Sequence, residues 1–376
     1  MRPEITELFE LDPALTHLNH GAFGAVPRVV REAQDRARAR VEAAPMRAFR
    51  DELPGQIAAV REAVAGFLDV TTDSTALVRN VTEGVAVVLE LLRVGAGDDI
   101  VVGNHGYATA ALAVQARRAS VRVASFGLSA SEDEVVAAFT AALTPDTRLV
   151  IVDQITSPTA LVLPVARVAE AVAPVPVLVD GAHAPGGLPG LDIERLGAAF
   201  WVGNLHKWAF TPRPAAALWV APPHRGRARP LVTSWSHGQP FPASFDLLGT
   251  VDHSAWLAVP DGLAFWQRLG GADLVAANGA LLESGADHVA TALGTRTELN
   301  GIPHAPCMRL VALPEGVATT PEDAQRLWRE LYAARFVVPP VSFEGRGFLR
   351  LAAQAYNDLE DYARLATTLK EVLGAA

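Results

Sequence analysis

The chain has 376 residues and half of them are hydrophobic, which is enough for a large core and two domains. The formal net charge is −9 and no block of lysine and arginine stands out, so we expect no nucleic-acid-binding surface. Cys307 is the only cysteine, which excludes an intramolecular disulfide and a cysteine-rich zinc site, and we predict no metal site. No signal peptide and no apolar run of about 18 residues are found, so a cytoplasmic protein that does not span a membrane is expected.

Residues 1–50 are predicted to form an N-terminal arm that joins a small C-terminal domain. A polar, glycine-bearing turn occupies residues 17–23, and Pro27 precedes a predicted helix over residues 28–44. By itself, the Asn19-His20-Gly21 sequence is typical of a capping turn. A second amphipathic helix is predicted over residues 54–68.

Short apolar strands alternate with helices between residues 75 and 220. The strands are predicted at residues 75–78, 99–102, 120–126, 148–152, 175–179, 198–202 and 215–220. This alternation predicts an α/β fold with a mainly parallel, doubly wound sheet. Ligands of such sheets bind at the carboxyl ends of the strands.

Two of these strands end in residues that suit one cofactor. The strand at 175–179 leads into Asp180, and the strand at 198–202 leads into Lys207. Pyridoxal 5′-phosphate (PLP) needs a lysine for its Schiff base and an acid for its pyridinium nitrogen. We therefore predict that Lys207 and Asp180 bind PLP.

Three segments carry a resemblance to a known family. Residues 17–24 (HLNHGAFG), 203–208 (GNLHKW) and 349–357 (LRLAAQAYN) resemble the motifs of isopenicillin-N-epimerase-like proteins, in the class V branch of the fold type I PLP enzymes. The likeness runs from about residue 16 to the C-terminal helix. It implies a homodimer with shared active sites. From the succession of strands and helices we predict a large PLP-binding domain over residues 51–255 and a small α+β domain over residues 256–376.

The resemblance also implies roles for further residues around the cofactor. His183 matches a contact to the phenolic oxygen, although a histidine there also suits a core hydrogen bond. Thr82, with the neighbouring Glu83 and Gly84, matches a phosphate-binding turn, although Thr82 alone reads as a helix cap. Tyr107 matches an aromatic residue stacked on the cofactor ring, and His105 is the second candidate for that role. His206 matches a histidine beside the lysine, and Thr250 matches a residue that reaches the phosphate bound by the neighbouring subunit. Relatives often have histidine or asparagine near Gln154, so no role is carried over to that residue.

An amino acid is the implied substrate. Arg350 matches the arginine that binds the substrate carboxylate, and Asn19 and His20 match an active-site wall that helps to hold it. Lys207, once free, is the expected proton carrier at Cα, and Tyr107 is the candidate for a second proton donor.

Several reactions remain open at this stage. We favour elimination from an S-substituted cysteine in secondary metabolism, such as antibiotic biosynthesis, because the resemblance implies a family that includes enzymes processing such cysteines. Cys307 begins an apparent strand and does not suit a persulfide carrier, which disfavours persulfide-type desulfuration. Epimerisation is the second interpretation and transamination the third. A PLP-binding homologue without activity is the non-enzymatic alternative.

Overall fold

A seven-stranded sheet forms the centre of the computed structural model, which describes residues 3–296 and 301–374. The spatial order of its strands is β2-β8-β7-β6-β5-β3-β4, and all neighbouring pairs are parallel except those that involve β8. The strands are β2 (Thr75–Val78), β3 (Asp99–Gly103), β4 (Ser120–Ala124), β5 (Thr147–Asp153), β6 (Val177–Asp180), β7 (Phe200–Asn204) and β8 (Ala216–Val220). The predicted α/β, mainly parallel fold is confirmed.

Strand β3 lies between β4 and β5, so the chain leaves β3 toward one side of the sheet and later continues on the other. Such a change of direction opens a crevice outside the carboxyl ends of the strands. The residues after β3, β5, β6 and β7 meet at this crevice. It is therefore where the topology places a ligand.

Helices cover both faces of the sheet. Residues of α5, α8 and α9 pack on one face with alternate strand residues such as Val179 and Trp201, and residues of α6 and α7 pack on the other face with Leu178 and Val202. The period-2 alternation of strand side chains produces this division. The α-helices of residues 3–258 are α1 (Pro3–Thr6), α2 (His20–Phe23), α3 (Arg28–Ala43), α4 (Pro45–Arg47), α5 (Leu53–Phe67), α6 (Val81–Leu91), α7 (Ala108–Ala116), α8 (Glu132–Ala141), α9 (Val165–Ala171), α10 (Pro222–Arg225) and α11 (Ser254–Leu257).

A smaller α+β unit follows in the chain. Its antiparallel sheet has the order β11-β12-β9, and its core is formed with helices α13, α14 and α15. The elements are α12 (Val259–Arg268), α13 (Ala272–Ala292), β9 (Met308–Ala312), α14 (Pro321–Ala333), β10 (Phe336–Val337), β11 (Pro340–Phe343), β12 (Arg346–Ala352) and α15 (Leu359–Val372). The N-terminal β1 (Thr16–His17) pairs with β10, which attaches the arm to this unit.

The sequence did not indicate every element. The longest helix, α13, was not predicted, and neither was strand β11. A break at residue 258 separates two further helices, since α11 ends at Leu257 and α12 begins at Val259. Among the described residues, no helix combines the length and the apolar character that a bilayer crossing requires.

Candidate active site

A cavity of about 190 Å³ lies at the carboxyl ends of β5, β6 and β7. The strands end together at this edge because they are parallel and in register, so segments that are far apart in sequence share one wall. The cavity is lined by six of the residues singled out in the sequence: Thr82, Tyr107, Asp180, His183, His206 and Lys207.

Lys207 and His183 contact each other in this cavity. Lys207 Nζ lies 3.1 Å from His183 Nε2. Burial lowers the pKa of Lys207 to about 8, with Arg350 lowering it further while Asp180 and Asp153 oppose the shift. Burial, followed by the positive charge of Lys207, also holds the pKa of His183 well below its ordinary value, so the imidazole is neutral. With this pKa, an appreciable fraction of Lys207 is the nucleophilic free amine near neutral pH.

His183 also has an unsatisfied polar atom. Its Nδ1 is buried and has no hydrogen-bond partner in the described part of the chain. When Lys207 is an ammonium, it donates to Nε2, so the imidazole proton resides on Nδ1. A buried donor without an acceptor is unfavourable, and a ligand oxygen in the cavity would relieve it.

Two buried carboxyl groups lie side by side below the cavity. Asp153 and Asp180 end strands β5 and β6 and are paired in register. Burial raises the pKa of Asp180, against the hydrogen bond that its Oδ1 accepts from the Ala182 N–H at 2.9 Å. Burial, and then the charge of Asp180, raises the pKa of Asp153 well above its ordinary value. Both carboxyl groups are therefore harder to ionise than exposed ones, and Asp153 is the more so because the charge of Asp180 repels a second charge beside it.

Tyr107 and His105, the two aromatic candidates that follow β3, have different surroundings in the structure. Tyr107 lines the cavity and is about half exposed, with 53% of its surface accessible. His105 is fully buried, where Nδ1 bonds Thr159 Oγ1, Nε2 bonds the Phe126 carbonyl, and its ring stacks on Phe126 at 4.3 Å between centroids. The runner-up His105 therefore faces the interior and not the cavity.

The N-terminus of α6 forms another side of the cavity. The first and third amides of the helix are bonded: the Val81 N–H donates to Asn204 Oδ1 and the Glu83 N–H to Asn80 Oδ1. Thr82, between them, lines the cavity, and in the described chain no protein acceptor takes its N–H. An anion at this helix N-terminus would be stabilised by that amide and by the helix dipole.

Glu83 and Gly84 do not contribute to the cavity wall as the sequence suggested. The Glu83 carboxylate accepts from the backbone N–H of Arg79 at 2.6 Å and from its guanidinium. Gly84 packs against β7, where a Cβ would overlap Val202. These two predictions of cofactor contact are therefore corrected: Glu83 stabilises the turn, and Gly84 permits close packing of helix and sheet.

Arg350 is buried near the cavity without an acidic partner. Its Nη2 donates to Asn19 Oδ1 at 2.8 Å and its Nη1 to the Ser157 carbonyl, while Nε has no partner in the described residues. Burial lowers the pKa of Arg350 to about 10 and, in the described chain, no carboxylate offsets that effect. A buried guanidinium without a counter-charge is costly, so this position suits an anionic ligand.

His20 was expected beside the substrate, but the structure places it behind the lysine. It is buried, with Nε2 2.8 Å from the carbonyl oxygen of Lys207 and Nδ1 3.0 Å from Tyr356 Oη. Because both ring nitrogens are bonded to protein, the imidazole has no polar atom left for a substrate. The predicted substrate contact is therefore corrected to a contact with the backbone of Lys207.

His206 and Thr250 have different surroundings. His206 lines the cavity and donates from Nδ1 to the Ala215 carbonyl at 2.9 Å, which leaves Nε2 as an acceptor. Thr250 lies instead at a separate cavity of about 480 Å³, beside Phe49 and His253. Within one chain Thr250 is not part of the candidate site, and its predicted role needs a second subunit.

Four polar residues of the cavity wall were not identified from the sequence: Asn80, Asp153, Ser157 and Asn204. Asp153 had a usable signal, because the runs Val-Ile-Val-Asp and Val-Leu-Val-Asp end two neighbouring strands in the same way. Asn204 ends β7 and accepts the first amide of α6, a contact that only the folded chain brings together. Gln154 accepts from Trp201 Nε1 and does not line the cavity.

Comparison with known proteins identifies the family. Residues 20–237 match the aminotransferase class-V family. The chain belongs to this family. Isopenicillin N epimerase from Amycolatopsis lactamdurans is 32% identical, with 97% of each chain covered. The protein named probable L-cysteine desulfhydrase, chloroplastic, from Arabidopsis thaliana is 28% identical, covering 96% of this chain and 83% of the plant protein.

Solved structures agree with this class V assignment at the level of the fold. The cystine C–S lyase C-DES superposes with a TM-score of 0.79 at 22% identity, covering 94% of this chain and 97% of that one. The cysteine desulfurase of Thermococcus onnurineus gives a TM-score of 0.78 at 15% identity, covering 100% and 99%. The fold is therefore that of the fold type I PLP enzymes.

As a member of this family the protein is a PLP-dependent enzyme, and the cavity fits the cofactor. One space is surrounded by a lysine with a lowered pKa, a buried acid pair, an unsatisfied imidazole nitrogen and the Thr82 amide, which has no acceptor in the described chain. In residues 3–296 and 301–374, no cluster of three histidine, cysteine, aspartate or glutamate side chains has the arrangement of a metal site.

Proposed function

We propose that the protein cleaves the C–S bond of an S-substituted L-cysteine by β-elimination. The observation that supports an amino-acid substrate is the buried Arg350 guanidinium. It has Asn19 and Ser157 as neighbours but no acidic partner in the described chain. It stands within electrostatic reach of Lys207. A ligand with a carboxylate at Arg350 and an amine toward Lys207 is an α-amino acid.

PLP supplies the electron sink that makes the Cα–H bond of the amino acid acidic. We propose that Asp180 keeps the pyridine nitrogen protonated and that His183 donates from Nδ1 to the phenolic oxygen. The Thr82 amide and hydroxyl would hold the phosphate. Arg350, with Asn19, would hold the α-carboxylate, and this orients the Cα–H bond.

Lys207 is the proposed base at Cα. Its Nζ takes the Cα proton, the electron pair left at Cα forms the Cα–Cβ double bond, and the β-sulfur leaves with the C–S electron pair. Proton transfer to the sulfur then gives a thiol. The remaining aminoacrylate takes up water and yields pyruvate and ammonia, so this reaction needs only one protein base at Cα.

The state of Cys307 favours direct elimination over persulfide chemistry. The side chain is 2% exposed, and burial raises the pKa of its thiol to about 12. A persulfide carrier must be a reachable thiolate, which Cys307 is not. In the proposed reaction the sulfur leaves directly as a thiol, so no protein cysteine takes part.

Epimerisation is the second candidate function, and two observations favour it. Two relatives named isopenicillin N epimerase are 32% and 31% identical to this chain. Tyr107 lines the cavity with a side chain that carries an acidic proton. An epimerase needs a second proton donor on the face of Cα opposite to Lys207, and Tyr107 would fill that role.

The oligomeric state and the cellular role of the enzyme are also proposals. We propose a homodimer with shared active sites, in which Thr250 reaches the phosphate bound by the partner. Support comes from the exposed apolar residues at or beside the two cavities, Phe23, Tyr107 and Val251, which a second subunit would cover. We further propose a cytoplasmic enzyme of secondary metabolism, such as antibiotic biosynthesis, by analogy with the epimerase relatives.

Proton NMR in D₂O on the PLP-loaded protein with S-substituted L-cysteines tests the proposal. We expect pyruvate and a released thiol, with equal rates for wild type and Cys307→Ala. Deuterium at Cα, with a D-product and no pyruvate, would establish the epimerase instead. A 2-oxo acid that keeps its sulfur substituent would indicate transamination, and no change with any substrate would support the homologue without activity.

A further inference from the structure

Two consecutive residues of the N-terminal arm contact the two groups that handle opposite ends of the substrate. Asn19 Oδ1 accepts from Arg350 Nη2 at 2.8 Å. His20 Nε2 lies 2.8 Å from the carbonyl oxygen of Lys207. Arg350 comes from β12, whereas Lys207 follows β7 of the large sheet. The Asn19-His20 pair is therefore a short covalent connection between the carboxylate end and the lysine end of the site.

The partners of His20 determine its proton position. A carbonyl oxygen can only accept, so Nε2 must carry the proton that is donated to Lys207. Nδ1 is then an acceptor, and it receives the hydroxyl of Tyr356 at 3.0 Å and, more weakly, the Ala25 N–H at 3.4 Å. Burial lowers the pKa of His20 to about 4, which keeps this neutral tautomer at physiological pH.

The arm has little freedom to move away from the lysine. Arg213 Nη1 donates to the carbonyls of Phe23 and Gly24 at 2.6 and 2.5 Å. Gly24 has a φ of +67°, and a Cβ there would overlap the carbonyl oxygen of His206. The His20 ring also packs against Trp208 and Phe210, with centroids 5.2 and 5.5 Å apart. The backbone at residues 206–208 is thus held by the arm.

We propose that the Asn19-His20 pair is a positioning unit, in which His20 sets the backbone of Lys207 and Asn19 links that setting to the carboxylate at Arg350. A carboxylate bound by Arg350 and Asn19 changes the hydrogen bond between these two residues, and a shift of Asn19 is passed to the adjacent His20. The position of the Lys207 amine therefore depends on whether a carboxylate occupies the site at Arg350. His20 is a positioning residue, since it touches neither the substrate nor the cofactor.

This inference rests on the roles proposed above for Arg350 and Lys207, and its test does not need turnover. The visible absorbance of PLP bound to Lys207 is titrated with pH, with and without 3-(methylthio)propanoate, a substrate-like carboxylate that lacks the amine. The variants are His20→Phe, Tyr356→Phe and Asn19→Ala. Tyr362→Phe is the matched control, because Tyr362 is also buried and, among the described residues, its hydroxyl bonds only the Ala352 carbonyl.

In the wild type we expect the carboxylate to move the titration midpoint, and in Asn19→Ala and His20→Phe we expect that response to be lost. His20→Phe should also move the midpoint without carboxylate by about 0.5 pH unit, because the environment of the Lys207 nitrogen changes. When the enzyme is assayed with a substrate that it converts, the kcat of His20→Phe should fall by about tenfold to a hundredfold with little change in KM. Tyr356→Phe should give a weaker form of the same change, and Tyr362→Phe none.

The failures are distinguishable. A wild-type protein that does not bind PLP on Lys207 overturns the proposed function together with this inference. A wild-type titration that His20→Phe and Tyr356→Phe both reproduce, with the same response to the carboxylate, overturns the inference alone. If His20→Phe does not fold, Tyr356→Phe against Tyr362→Phe decides the question, since both changes remove one buried hydroxyl.

Discussion

The side chain of Lys207 is hydrogen-bonded to a neutral imidazole: its Nζ lies 3.1 Å from Nε2 of His183. The carboxyl groups of Asp180 and Asp153 act on the lysine through their charge, and Arg350 acts against them. The pKa of Lys207, about 8, reflects burial first and this balance second. The balance can be changed one residue at a time.

We expect the rate at which the apoprotein captures PLP to rise with pH through about 8, because only the free amine attacks the aldehyde. Asp180→Asn removes a charge that favours the ammonium form, so the midpoint should move below 8. Arg350→Met removes a charge that disfavours it, so the midpoint should move above 8. Stopped-flow absorbance at varied pH measures the three midpoints. Identical midpoints in all three proteins would show that these charges do not control Lys207.

Asp153 should make the apoprotein less stable at neutral pH than at acidic pH. A carboxyl group with a raised pKa binds its proton more tightly in the folded state, so the stability it contributes is present below its ordinary pKa of 3.8 and is lost as pH rises through the raised value. We therefore expect Asp153→Asn to melt several degrees higher than wild type at neutral pH, and the difference to shrink toward pH 4. Asp146→Asn, at an exposed aspartate, is the control. A difference that is constant with pH would contradict the raised pKa.

The fold was predictable in this chain where a local pattern dictates it. The apolar runs that become β5, β6 and β7 are buried on both faces, and an acid or a lysine follows each of them, so the sheet and the pair Asp180 and Lys207 are visible in the sequence. Helix α13 was not, because Asn278 and Gly285 interrupt its apolar face: Gly285 lies against Tyr362, and Asn278 donates to Gln354.

The site residues that were misplaced share a physical cause. The function of His20 depends on Tyr356 and on the Lys207 carbonyl, which lie 336 and 187 residues away along the chain. No pattern near residue 20 indicates these partners. Glu83 was misassigned for a related reason, since its carboxylate accepts hydrogen bonds from Arg79 and does not line the cavity. Contacts of this kind are set by tertiary packing and not by motif.

Arg350 should control substrate affinity more than the chemical step. Arg350→Lys keeps a positive charge but loses the two-pronged geometry that a carboxylate needs, so we expect KM to rise by about a hundredfold and kcat to change much less. Arg326→Lys, on the surface of α14, is the control. Steady-state kinetics with the substrate found by NMR measures both constants. A normal KM in Arg350→Lys would place the carboxylate elsewhere.

Gly24 should be needed because the backbone of His206 lies against it. Gly24→Ala combines left-handed strain with an overlap on the His206 carbonyl, whereas Gly190→Ala has nearly the same φ, +71°, and no atom within 4 Å of the new Cβ. Both changes carry about 1 kcal/mol of strain. We expect Gly24→Ala to lose a further ~1–3 kcal/mol from the overlap. Denaturant unfolding measures the free energy of unfolding of both variants. Equal decreases would mean that the arm does not pack against the backbone of residue 206.

The chain contains only two lysines, Lys207 and Lys370, and this makes the central claim directly testable. Lys370 is exposed on α15, so Lys370→Arg is a control with the surface altered and the cavity intact. PLP is bound to the protein, fixed by borohydride reduction, and located by peptide mass spectrometry. We expect one equivalent of label on Lys207 in wild type and in Lys370→Arg, and none at this position in Lys207→Arg. Label on Lys370 alone, or stoichiometric label that survives Lys207→Arg, would contradict it.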